Sequence, residues 1–168
     1  MDFFPQPSGP PDPSLLEPAK VVRTSQIICV AMIMGVSMFL GIVLISPGKQ
    51  VTPPTLSYIG AGGALLMIGL QFVVLSVFVN SQKKRFLSDQ IVNLDGQLFS
   101  LFQTKMIIGL AMLEGAAFFN LVANMVERQW WSLAVVGVLL FLMAISFPTF
   151  PRVESWVQDL KRDLQNQF

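Results

Sequence analysis

Four uninterrupted apolar runs organise this chain, and nearly every charge lies between or beyond them. They cover residues 25–46, 58–80, 106–126 and 131–150. Each reaches the roughly 20 residues that an α-helix needs to cross a bilayer. A helix of a soluble protein keeps a polar stripe along its outer face, which these runs lack. The pattern predicts an all-α fold, a polytopic membrane four-helix bundle. Tyr58 opens the second run and Trp130 and Trp131 separate the third from the fourth, where interfacial aromatics are expected. Pro53 and Pro54 mark the first loop, and Pro148 and Pro151 close the fourth run.

Outside the runs the pattern changes. In residues 81–105, Leu87, Ile91, Leu94, Leu98 and Leu101 recur every three or four positions, a helical period. Either the third span projects beyond the bilayer as a longer helix, or a separate surface helix ends near Gly96. Residues 151–168 place Val153, Trp156, Val157, Leu160 and Leu164 on one face and most of their charges elsewhere. This predicts an amphipathic C-terminal helix that either lies at the cytoplasmic interface or, the preferred reading, packs on the 81–105 segment. Its charges are of both signs, which weakens a claim of anionic-lipid binding, since that would favour Lys and Arg alone. Residues 1–24, with Pro5, Pro7, Pro10, Pro11, Pro13 and Pro18, read as a flexible cytoplasmic tail.

Composition sharpens this picture. Hydrophobic residues make up 53% of the 168 and charged residues 12%, against about 25% charged in soluble domains. The net charge of +1 gives no reason to expect a nucleic-acid partner. The chain has no His and one Cys, Cys29. That removes His-based acid–base chemistry, Ser-His triads, His metal sites and an internal disulfide. An enzyme is not expected, nor a cofactor or metal. Lys20, Arg23, Lys83, Lys84, Arg85, Lys105, Arg152, Lys161 and Arg162 fall on one side of the four-span topology, Lys49 and Arg128 on the other. Nine against two predicts both termini in the cytoplasm. No signal peptide and no eukaryotic targeting signal is read at the start, so the bacterial inner (plasma) membrane is the expected location.

Spans one and three align without gaps at an offset of 80, with identities that include Ile27/Ile107, Ala31/Ala111, Gly35/Gly115 and Phe39/Phe119. This raises a duplicated hairpin. The shared pairs Ala31–Gly35 and Ala111–Gly115 are small residues four apart, which let helix backbones approach closely in lipid. Gly60 and Gly63 offer the same on span two. Asn120 and Asn124, four apart on span three, are candidates for hydrogen bonds to another helix.

One charge lies inside a span. Glu114 is nine residues past Lys105, roughly 14 Å deep. A carboxylate there must be protonated, paired or wet. Gln71 lies nine residues before Asn80, the cytoplasmic end of span two, so antiparallel neighbours would bring Gln71 to the depth of Glu114. A neutral Glu can donate to, and accept from, a Gln amide.

The run Gly109-Leu110-Ala111-Met112-Leu113-Glu114-Gly115-Ala116-Ala117-Phe118-Phe119-Asn120-Leu121-Val122 resembles the carboxylate helix of the proteolipid, or c, subunits of rotary ATP synthases. The preceding span, with Gly60-Ala61-Gly62-Gly63 and Gly69, resembles that family's glycine-rich helix. The resemblance covers spans two and three and implies that Glu114 carries a proton or ion in a ring. The family's short polar loop is replaced here by residues 81–105. The residues themselves lead to a small multi-pass membrane protein acting through helix packing, as an oligomer or accessory subunit. Its expected partners are the lipid bilayer and a second copy or another membrane protein, with the proteolipid-like carrier as the alternative.

Overall fold

The computed structural model describes residues 18–46, 53–88 and 94–165. They form five helices and no strand: α1 (Pro18–Ile45), α2 (Thr55–Ser88), α3 (Leu94–Glu127), α4 (Trp130–Ile145) and α5 (Phe150–Gln165). Helices α1, α2 and α3 are each long and apolar enough to cross a membrane. The fourth expected span is different. Helix α4 has 16 residues, and only with α5 does it pass the same test, across a bend of 71°. The expected run 131–150 thus breaks at Ile145. Pro148 has no N–H to donate and disfavours helical backbone at Phe147, so the helix ends before them. Pro151 does not close α4; it sits in the first turn of α5, where its missing N–H costs nothing.

Helix α3 is the hub. It packs against α1, α2, α4 and α5, whereas α1 and α2 lie on different sides of it. The buried positions recur every seven residues: Val22, Cys29, Val36 and Val43 on α1, and Leu110, Ala117 and Asn124 on α3. On α4 they are Ser132, Val136, Leu139 and Met143, at spacings of four and three. A seven-residue period keeps one seam of each helix against its neighbour over several turns. Cys29, fully buried in this seam, is a small core residue.

A second apolar cluster closes one end. Val21 and Val22 of α1, Leu98, Phe99 and Leu101 of α3, and Val153, Val157 and Leu160 of α5 bury one another. The amphipathic helix thus packs on the start of α3, as its periodicity predicts. Helix α3 runs unbroken through Gly96, so the 94–105 part of the loop is an extension of span three and not a separate surface helix. Ile91 lies outside the described residues. So does the expected tail up to residue 17, whereas residues 18–24 are not tail but the opening turns of α1. Val21 and Val22 supply the apolar contact that keeps these turns helical.

Candidate functional site

One group of polar contacts gathers at the α3–α4 turn, which meets the start of α2 and the end of α1. Glu127, the last residue of α3, is buried. Its Oε1 accepts from the backbone N–H of Leu56 at 2.6 Å and its Oε2 from that of Ser57 at 2.7 Å. These N–H groups belong to the first turn of α2, where a helix has no internal acceptors and a partial positive charge. Glu127 therefore caps a helix 70 residues away in sequence. Arg128 does the opposite for α1. Its Nη1 donates to Val43 O at 2.9 Å and its Nη2 to Ser46 O, at the negative end of that helix. Consecutive residues thus place a carboxylate on one helix N-terminus and a guanidinium on another helix C-terminus. Arg128 has a φ of 55°, the left-handed backbone conformation that L-residues avoid, and this turns the chain from α3 into α4.

Two further contacts fasten this end. Asn124 Nδ2 donates to Gln129 O at 2.6 Å within the turn. Tyr58 stacks on Trp131, ring centroids 5.2 Å apart, while Trp130 is exposed. Sequence reasoning placed Glu127 and Arg128 outside the spans as solvated loop charges and missed them as a site. A signal was present: opposite charges side by side, in a turn too short to carry them away from the helix ends.

The candidate packing residues separate into used and unused. Asn120 Nδ2 donates to Gly60 O at 3.0 Å and to Ala116 O at 2.9 Å, so Asn120 does bond a neighbouring helix, whereas Asn124 bonds its own turn. A Cβ on Gly60 would sit 2.9 Å from Asn120 Oδ1, so a larger residue there would have to displace the Asn120 amide. At Gly63 and Gly115 an added Cβ meets nothing within 4 Å, and Ala31 and Ala111 are exposed. Of the small residues shared by spans one and three, Ala31, Ala111 and Gly115 lie away from the contact between α1 and α3, whereas Gly35 faces α3.

Glu114 and Gln71 are not brought together. Gln71 Nε2 lies against Gly109, at 2.8 Å from the position of an added Cβ, and Glu114 Oε1 lies 3.7 Å from the same position on Gly35. Residues 109 and 114 are about 140° apart around α3, so Gln71 belongs to the α2 side and Glu114 faces α1. The register explains the discrepancy. Position 60 meets 120 and 71 meets 109, eleven residues on along α2 for eleven back along α3. The expected pairing of 71 with 114 is five residues out of that register. The Gly60–Asn120 contact sets it, and no depth count from loop ends could. Glu114 is half-buried and makes no hydrogen bond or ion pair among the described residues. Among these residues no group of His, Cys, Asp or Glu is arranged to hold a metal ion.

No family model, no curated protein and no solved structure matches this chain.

Proposed function

We propose that the chain is a small multi-pass integral membrane protein that works through helix packing, as a homo-oligomer or as an accessory subunit of a membrane complex. The observation that carries this reading is a face of α2 that the described residues leave uncovered. An added Cβ at Gly62, Gly63 or Gly69 meets nothing within 4 Å, and Leu65, Leu66, Phe72 and Val73 beside them are exposed. Lipid tails are as apolar as leucine, so helices associate in bilayers where small residues allow close backbone approach. A glycine face outside the intramolecular contacts fits a helix from another chain.

The topology of this reading has four crossings. Helices α1 to α3 make three. Helix α4, at about 24 Å, needs the Ser146–Thr149 segment to reach the far side of a core of about 30 Å. That segment is supported as non-helical backbone in a membrane must be. Gln26 Nε2 donates to Pro148 O at 2.9 Å and Arg152 Nη1 to Ile145 O at 2.8 Å. Helix α5 then lies at the end where α1 begins, and the excess of Lys and Arg there assigns that end to the cytoplasm, with the bacterial inner membrane as the location.

Two substitutions test the packing reading. Gly63→Leu is expected to shift the protein from oligomer to monomer in mild detergent, read by sedimentation, with its melting temperature unchanged. Gly60→Leu is expected to keep the assembly surface but cost about 1–3 kcal/mol of stability through overpacking against Asn120. An assembly unaffected by Gly63→Leu would remove this face from the interface.

A second reading, the proteolipid-like carrier, draws on Glu114: a half-buried carboxylate on an apolar helix with no protein partner among the described residues. It predicts a large ring in mild detergent and labelling of Glu114 by a carboxyl-reactive carbodiimide that Glu114→Gln abolishes. A monomer or dimer would end it.

A further inference from the structure

Beside the bend between α4 and α5 lies a cavity of about 250 Å³ whose polar lining is Gln71, Lys105, Ser146 and Arg152. No carboxylate lines it, and neither Lys105 nor Arg152 makes an ion pair among the described residues. Two cations turned towards one small space repel each other unless an anion lies between them.

The cations are held in place. The Lys105 ammonium sits 5.0 Å above the centre of the Trp156 ring, and Trp156 packs against Phe102 at 5.4 Å. Cation–π contact fixes the ammonium without neutralising it. Arg152 uses Nη1 to cap Ile145 O, so its guanidinium stays anchored at the bend while keeping further N–H donors. The Gln71 amide lies close against Gly109, in space that a larger residue there would take up.

Size and place narrow the ligand. The cavity has room for roughly eight waters and falls below the range of about 300–1,000 Å³ common for whole small molecules. It suits a compact charged group whose remainder lies outside. Phe72, one turn from the lining residue Leu75, is exposed and gives an apolar flank for a hydrocarbon chain to follow.

We propose that this cavity binds the phosphate of an anionic lipid headgroup, with Lys105 and Arg152 supplying the charge and Gln71 a neutral donor. The helix α5 alone, with charges of both signs, does not provide this selectivity; the cavity, whose charged lining residues Lys105 and Arg152 are both cations, does. The lipid source rests on the membrane reading above, whereas recognition of phosphate does not.

The test is calorimetric titration of the full chain in neutral maltoside micelles with dihexanoyl phosphatidylglycerol, dihexanoyl phosphatidylcholine and inorganic phosphate. Phosphatidylglycerol is expected to bind at least tenfold more tightly than phosphatidylcholine. Lys105→Gln with Arg152→Gln should weaken it by tenfold or more, and Arg23→Gln, outside the cavity, should leave it unchanged. Arg152 is exposed, so Arg152→Gln alone keeps the fold and should weaken binding about fivefold if the double variant does not fold. Inorganic phosphate binding as tightly as phosphatidylglycerol would support the phosphate site and assign it a soluble source. Equal binding of the two lipids, or variants that bind phosphatidylglycerol as the wild type does, would overturn the proposal. Retention of the chain in carbonate-washed membranes is measured separately, so failure of the membrane reading is distinguishable from failure of the site.

Discussion

Glu127→Ala is expected to destabilise the protein more than any other single change outside the apolar seams. The substitution removes both acceptors from the N–H groups of Leu56 and Ser57. Ser57 is fully buried, so water cannot easily replace the lost carboxylate. Each buried N–H left without an acceptor costs about 1–3 kcal/mol, and two are orphaned together. The helix α2 also loses the negative charge facing its positive end. Thermal unfolding followed by circular dichroism in detergent should register a loss of this order. Glu127→Gln should recover about half of it, because an amide offers one carbonyl oxygen where the carboxylate offers two. If Glu127→Ala melted like the wild type, the cap would contribute nothing and α2 would be held by its seam with α3 alone.

Arg128→Ala and Arg128→Gly should differ, and the difference isolates two roles of one residue. Both lose the guanidinium bonds to Val43 O and Ser46 O at the end of α1. Hydrogen bonds to charged groups are worth about 1.5–3 kcal/mol, so each variant should lose about 3 kcal/mol or more. Alanine also inherits the left-handed backbone at φ 55°, which costs an L-residue about 1–2 kcal/mol and glycine little. Arg128→Gly is therefore expected to be the more stable of the two by about 1 kcal/mol in the same unfolding measurement. Equal stability would mean that the turn relaxes out of the left-handed region once the side chain is gone.

These two residues also mark the limit of what was legible in the sequence. The apolar runs and the buried face of α5 were legible, because burying apolar surface imposes a length and a period on the chain, whereas the seams between the spans were not. Val153, Val157 and Leu160 announced α5, and the period in residues 94–105 announced a helix, but whether it continued α3 through Gly96 or lay apart was left for the structure to decide. The charges at the α3–α4 turn were visible only as loop residues. Nothing local in Glu127-Arg128 says which helix ends they will meet, since their partners lie 70 to 85 residues away. The small residues misled in the same way. Gly60 and Gly63 are alike on paper, yet one touches Asn120 and the other touches nothing, a difference set by which side of α2 faces α3.

The sequence by itself determined that the chain is helical, that its apolar runs are long enough to cross a membrane, and that an amphipathic helix follows them; it led to an expectation of four spans, of which three helices are long and apolar enough on their own. Each of these depends on apolar period and length, properties of contiguous residues. Only the tertiary structure decided the register of α2 against α3, the separation of Gln71 from Glu114, and the meeting of Lys105 with Arg152 around one cavity. Those follow from contacts between residues distant in the chain. Around a helix, a shift of a few residues moves a side chain to another face, and no periodicity along one strand of sequence records that rotation.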